Sequence, residues 1–221
     1  MSIAGAKRGG LVADIGVIPL PLVLLTLTSG MVDAVSYLKF GHVFVANMTG
    51  NVIFLGFVAA GYREISAVGS VIALAAFLAG ALAGGGLVLR AKNQAHLLLA
   101  ATSVKFCLSV IALLVAALSA VAADTAAAYV VIAILAVAMG IQNAAARKIA
   151  APDFTTTVLT MTITGIAADL TAGASPKLVR RLLSVAAMFL GALTMIAICC
   201  FFAATLVATY ANQRQGKTAI A

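Results

Sequence analysis

The chain has no tryptophan, two histidines, three cysteines and six acidic residues among its 221 positions. Charged residues of both signs make up only 9% of it. A soluble domain is about half apolar and about a quarter charged, and here 64% of the residues are hydrophobic. Too little polar surface is present to cover a globule in water, so lipid must be the solvent on most sides. The same shortage excludes a disordered chain, a collagen, a coiled coil and a disulfide scaffold. Cys107, Cys199 and Cys200 lie inside apolar runs, and an odd number of buried thiols frames no disulfide set. They read as small core hydrophobes. His42 and His96 stand alone at helix ends, too few for a metal or haem site. No cofactor is expected.

The basic residues outnumber the acidic ones, for a net charge of +8. They sit at the ends of apolar stretches: Lys7 and Arg8, Arg90 and Lys92, Arg147 and Lys148, Arg180 and Arg181, Arg214 and Lys217. Such positions anchor a chain to lipid headgroups and carry topology signals. Without interleaved aromatic residues they offer bases no stacking platform, so nucleic acid is not an expected partner. Lys7 and Arg8 before an apolar run resemble a signal peptide, but the run is too long and more spans follow, which reads as a retained first helix.

A crossing helix needs roughly 20 apolar residues. Seven stretches qualify: Ile15–Tyr37, Val43–Tyr62, Ala67–Leu89, Leu97–Ala122, Ala126–Ala146, Phe154–Gly173 and Ser184–Tyr210. The expected fold is therefore all-α, a polytopic transmembrane helix bundle forming one membrane domain. Pro19 and Pro21 fall in the first turns of the first helix, and Pro152 and Pro176 in loops beside the sixth. The sixth stretch is rich in threonine and faces the bundle rather than lipid. If it is re-entrant, the count falls to six.

The two halves of the chain repeat. Gly30-Met31-Val32-Asp33-Ala34 aligns with Gly140-Ile141-Gln142-Asn143-Ala144, and Phe44 with Phe154, at an offset of 110. Thr49 meets Thr160, and the run from Ala75 to Leu82 meets Ala186 to Leu193, at 111. The first repeat covers about 15–89, the linker helix about 97–122 and the second repeat about 126–210. With seven spans the repeats enter the membrane in the same direction; a six-span count makes them inverted. The groove between two such half-bundles is the natural place for a pathway.

Polar residues fall at matching places in both repeats. Asp33, Asn47, Thr49 and Asn51 belong to the first; Gln142, Asn143, Thr156, Thr160 and Thr164 to the second. Asn47 and Asn51 share a helix face, as do the three threonines. Unpaired amides and carboxylates in hydrocarbon are costly, so these groups should turn inward and line a polar seam, or else act as interhelical glue. Asp33 is the candidate for proton coupling. Lys105 is expected to snorkel to the interface. Asp169, near the end of the sixth stretch, is either a loop-facing cap or part of the pathway. Gly80 and Gly84 form a G-x-x-x-G pair, expected in close helix packing or at a homodimer face.

Gly30-Met31-Val32-Asp33-Ala34 followed by Val45-Ala46-Asn47-Met48-Thr49-Gly50-Asn51 resembles the YoaK family, also called the domain-of-unknown-function 1275 family. Met139-Gly140-Ile141-Gln142-Asn143-Ala144 and Thr156-Thr157 resemble that family's second-half motifs, and the likeness runs from about Leu25 to about Thr205. One departure is Thr160-Met161, where the family has a second T-G. The resemblance implies a bacterial inner-membrane protein of six or seven helices and supplies no substrate. Neither a P-loop, an H-E-x-x-H nor a G-x-S-x-G is present, so ATP coupling and enzymatic activity are not expected. The reading is a small secondary transporter or permease for a small solute, with a non-catalytic membrane scaffold as the alternative.

Overall fold

The computed structural model describes residues 20–119, 121–149, 159–172 and 178–198. Every regular element among these is a helix: α1 (Leu20–Lys39), α2 (Met48–Ala59), α3 (Ala67–Arg90), α4 (Gln94–Leu118), α5 (Ala126–Lys148), α6 (Leu159–Ala172) and α7 (Leu178–Ile198). Five of them, α1, α3, α4, α5 and α7, are long and apolar enough to cross a membrane. The protein is a polytopic helical membrane protein. Its outside is greasy: Leu82, Leu89, Leu99, Phe106, Leu118 and Phe189 are all exposed. Its inside is partly polar, with Thr26, Ser29, Asp33, Ser36, Asn51, Ser70, Lys105 and Gln142 buried. That inversion of the soluble pattern is what lipid as solvent requires.

Local chemistry sets the helix ends. Pro21 occupies the first turn of α1, where its missing N–H costs nothing. Ser66, Asn93 and Thr125 cap α3, α4 and α5, each accepting the N–H three residues on. Helix α7 starts at Leu178, six residues before the expected Ser184, so Arg180 and Arg181 fall in its first turn and not in a loop. The seventh stretch's residues beyond Ile198, like the first five residues of both the first and the sixth stretch, lie outside the described residues.

The second stretch does not cross. Its helix, α2, has 12 residues, about 18 Å of rise against a hydrocarbon thickness of about 30 Å. After α1 the chain turns at Gly41, whose φ of +82° is the left-handed conformation that glycine adopts freely. Residues 43–47 then run back beside α1, and Val45 and Ala46 donate their N–H groups to Asp33 Oδ1 at 3.0 and 2.7 Å. Asp33 lies six residues before the end of α1, about 9 Å below it. From there α2 returns to the end it left: Ser66 N–H donates to Gly41 O at 3.0 Å, and His42 Nδ1 lies 3.1 Å from Glu64 O. The segment from 43 to 65 is re-entrant. In the sequence, five non-helical residues flanked by apolar ones look no different from helix.

This changes the direction of everything downstream. The end of α1 and the starts of α3 and α5 share one face, because Ser66 Oγ donates to Asp124 Oδ1, which also accepts from Tyr129 Oη at 3.0 Å. Helix α1 therefore runs opposite to α5, whereas counting seven spans made them parallel. Helix α6 is described over 14 residues, about 21 Å of rise. Among the described residues five helices are long enough to cross, against the seven or six stretches expected.

The tightest packing is backbone on backbone. A Cβ on Gly140 would lie 2.2 Å from Phe77 O and 2.7 Å from Ala81 N, and one on Gly80 would lie 2.2 Å from Val137 O. These contacts join α5 to α3, which pack extensively on one another. In the other pair, α1 with α7, a Cβ on Gly30 would lie 2.2 Å from Met188 O and 3.2 Å from Ala192 N, and one on Gly191 2.0 Å from Leu27 O. Gly84 also packs on α5, against Ile141 and Ala144, so the G-x-x-x-G face is used within the chain.

Candidate functional site

The inward face of α1 is a polar stripe. Leu22, Thr26, Ser29, Gly30, Asp33 and Ser36 are its buried residues, spaced by three, four or one as a single helix face requires. Thr26, Ser29 and Ser36 each spend their hydroxyl hydrogen on a carbonyl of α1 itself, at 3.0, 2.8 and 3.1 Å. That local bonding is how small hydroxyl residues enter a membrane interior. Sequence reading singled out Asp33 alone; the periodicity of Thr26, Ser29, Asp33 and Ser36 was the available signal for the rest.

Asp33 is 4% exposed and holds the re-entrant segment through Oδ1. Its other oxygen, Oδ2, is buried without a hydrogen-bond partner. Facing α1 from α5, Gln142 is 6% exposed and donates from Nε2 to Ser29 Oγ at 3.0 Å and towards Leu25 O at 3.5 Å. Its Oε1 is likewise buried and unpartnered. Asp33 lies on the same buried face of α1 as Ser29, the residue that Gln142 bonds from α5.

The other expected seam residues separate. Asn51 is fully buried, but its amide is committed: Oδ1 accepts from Phe44 N–H at 2.9 Å and Nδ2 donates to Phe44 O at 2.7 Å. It fastens the re-entrant turn, over which Tyr37, Phe44 and Phe54 stack. Asn47 is half-buried at the start of α2, and Thr49 is exposed one turn in. Asn143 is half-buried and donates to Met139 O at 3.0 Å. Thr160 and Thr164 are exposed, with the Thr164 hydroxyl donating to Thr160 O, while Thr162 on the opposite face is buried. Thr156 lies outside the described residues, as does the side chain of Asp169.

Lys105 does not snorkel. It is 7% exposed, eleven residues into α4, and its Nζ donates to Thr28 Oγ1 on α1 at 2.6 Å. Reaching a hydroxyl across the bundle costs less than carrying the ammonium past half a helix to the headgroups. At the membrane face, Tyr62 donates to Glu64 Oε2 at 2.7 Å, and that bond raises the phenol above its ordinary range. Among the described residues no three His, Cys, Asp or Glu side chains gather as a metal site.

A family profile described as "Protein of unknown function (DUF1275)" matches residues 21–221. UPF0700 transmembrane protein YoaK of Bacillus subtilis (strain 168) is 34% identical over 149 residues, 67% of this chain and 65% of that protein. The matched region thus spans just under two thirds of that relative's length. No solved structure matches.

Proposed function

This chain belongs to the DUF1275 family, and from that premise we propose that it is a small secondary transporter of the bacterial inner membrane. The solute passes along the polar seam between two inverted halves, residues 20–90 and 126–198, with α4 joining them.

One observation carries this reading. The two short apolar helices, α2 (Met48–Ala59) and α6 (Leu159–Ala172), stand in corresponding parts of the two halves: under the shift of 111, Thr49 in α2 matches Thr160 in α6. Paired short or broken helices at equivalent positions are the best pointer to a transport site in repeat-built transporters. The glycine contacts support it. Gly30 on Met188 and Ala192 matches Gly140 on Phe77 and Ala81, and Gly191 on Leu27 matches Gly80 on Val137, when residues are shifted by 110 or 111. Two equivalent joints of closely packed backbone suit rocking of one half against the other. The role is non-enzymatic and uses no cofactor.

The second reading, a scaffold or homodimeric partner subunit, draws on Gly85 and Gly86, where an added Cβ would meet nothing within 4 Å. Labelling separates the two readings. In a background with Cys107, Cys199 and Cys200 replaced, Thr49→Cys and Thr160→Cys each place one thiol at the first turn of a short helix, both at exposed positions. Asn51 is unsuitable for this because its amide holds the turn. A membrane-impermeant maleimide should reach position 49 from one side of the membrane and position 160 from the other. Protection of both, in folded protein, refutes the transporter and leaves the scaffold; labelling of both from one side refutes the inverted arrangement.

A further inference from the structure

Two buried side-chain oxygens stand out among the described residues. Asp33 Oδ2 and Gln142 Oε1 have no hydrogen-bond partner. The orientation of the Gln142 amide follows from its neighbour: Ser29 gives its hydroxyl hydrogen to Leu25 O, so Ser29 Oγ must accept, and Nε2 must face it. Oε1 is then left free. Asp33 lies one turn beyond Ser29 on the same buried face of α1. The two oxygens therefore lie along one buried stripe, one contributed by α1 and the other by α5.

Orphaned acceptors at more than nine-tenths burial are expensive unless a ligand completes them. Both atoms accept, and one belongs to a carboxyl, so the completing group must carry N–H or O–H donors and a positive charge. A divalent metal is a poor fit, since calcium or magnesium needs about six oxygens and only two are free. The occupant must also be small. Beside the stripe, Gly30 and Gly140 admit the backbones of α7 and α3 so closely that an added Cβ would lie 2.2 Å from a carbonyl oxygen. The nearby cation, Lys105, is bonded to Thr28, about 140° around α1 from Asp33.

We propose that Asp33 Oδ2 and Gln142 Oε1 bind a small ammonium group, so that the transported solute is a small primary amine or ammonium ion. The assignment rests on the transport reading and names its substrate class.

Methylammonium is the probe. Purified protein in detergent at neutral pH is melted in methylammonium chloride, in equal sodium chloride and in equal tetramethylammonium chloride, which carries the charge without N–H donors. Methylammonium should give a saturable rise in Tm of about 3 °C over sodium, and tetramethylammonium none. Asp33→Asn retains an Oδ1 acceptor for Val45 and Ala46 but puts a donor where Oδ2 was; it should melt cooperatively and lose the rise. Gln142→Met removes the second acceptor at similar volume and should reduce it, which keeps the test decisive should the Asp33 variant fold poorly. No rise in the wild-type protein, an equal rise with tetramethylammonium, or a rise that survives both substitutions overturns the proposal. If Thr49→Cys and Thr160→Cys label from opposite faces while methylammonium has no effect, transport stands and this substrate class falls.

Discussion

Two glycines five residues apart on α3 should respond in opposite directions to the same substitution. A Cβ at Gly80 would sit 2.2 Å from Val137 O and 2.8 Å from Val137 Cα, where ordinary contact begins at 3.4 Å. Those are backbone atoms of α5 and cannot swing aside, so the Gly80→Ala helices must part by about 1 Å. A gap of that size forfeits a quarter to a half of the dispersion energy of the atoms lining it. Overpacking of this kind costs about 3 kcal/mol, and replacing glycine by alanine inside a helix returns about 1 kcal/mol. The net loss is about 2 kcal/mol, or a fall in Tm of about 4–8 °C for a chain of this size. Gly85 has nothing within 4 Å of its would-be Cβ, so Gly85→Ala keeps the propensity gain and should melt about 2–4 °C higher. Circular dichroism melts of both variants in one mild detergent make the comparison. Equal melting temperatures, or a Gly80→Ala protein as stable as wild type, would refute the close approach of α3 and α5.

Asn51→Leu fills the same space but leaves the N–H and C=O of Phe44 buried and unpaired; the expected loss is about 2–4 kcal/mol, read as a lower melting temperature and as faster proteolysis between residues 43 and 65. Lys105→Met removes a buried ammonium whose one bond goes to Thr28, and stability should hold or rise by about 1 kcal/mol. A loss above 2 kcal/mol, measured the same way, would mean that Lys105 is structurally paired.

The membrane class was readable from composition, because the shortage of charge leaves no alternative solvent. Most helix positions were readable too, since twenty apolar residues have few ways to cross lipid. The re-entrant turn was not. Val43, Phe44, Val45 and Ala46 are as apolar as any helix, and what keeps them out of helix is tertiary: Asp33 on α1 takes two of their N–H groups, and Asn51 takes both backbone groups of Phe44. Misreading that one segment reversed the relation of α1 to α5. At the candidate site, Asp33 and Gln142 were legible as costly residues at membrane depth. Lys105 was misjudged because sequence shows distance to the headgroups and not the nearer hydroxyl of Thr28. The role of Asn51 was hidden for a similar reason: its partner is backbone, and backbone carries no letter.

Helix α4 takes on a meaning that its composition does not suggest. The segment from α1 to α3 leaves one face of the membrane and returns to that same face, an even number of crossings. Joined directly to α3, α5 would start from the other face and run in the same direction as α1. The single added crossing of α4 turns α5 over. Its 25 residues thus act as a parity switch, and their only side-chain hydrogen bond to another helix among the described residues is Lys105 to Thr28. Whether this one helix inserts, held to α5 by Leu97 and Ala101 against Ile141 and Ala145, decides the direction in which α5 enters.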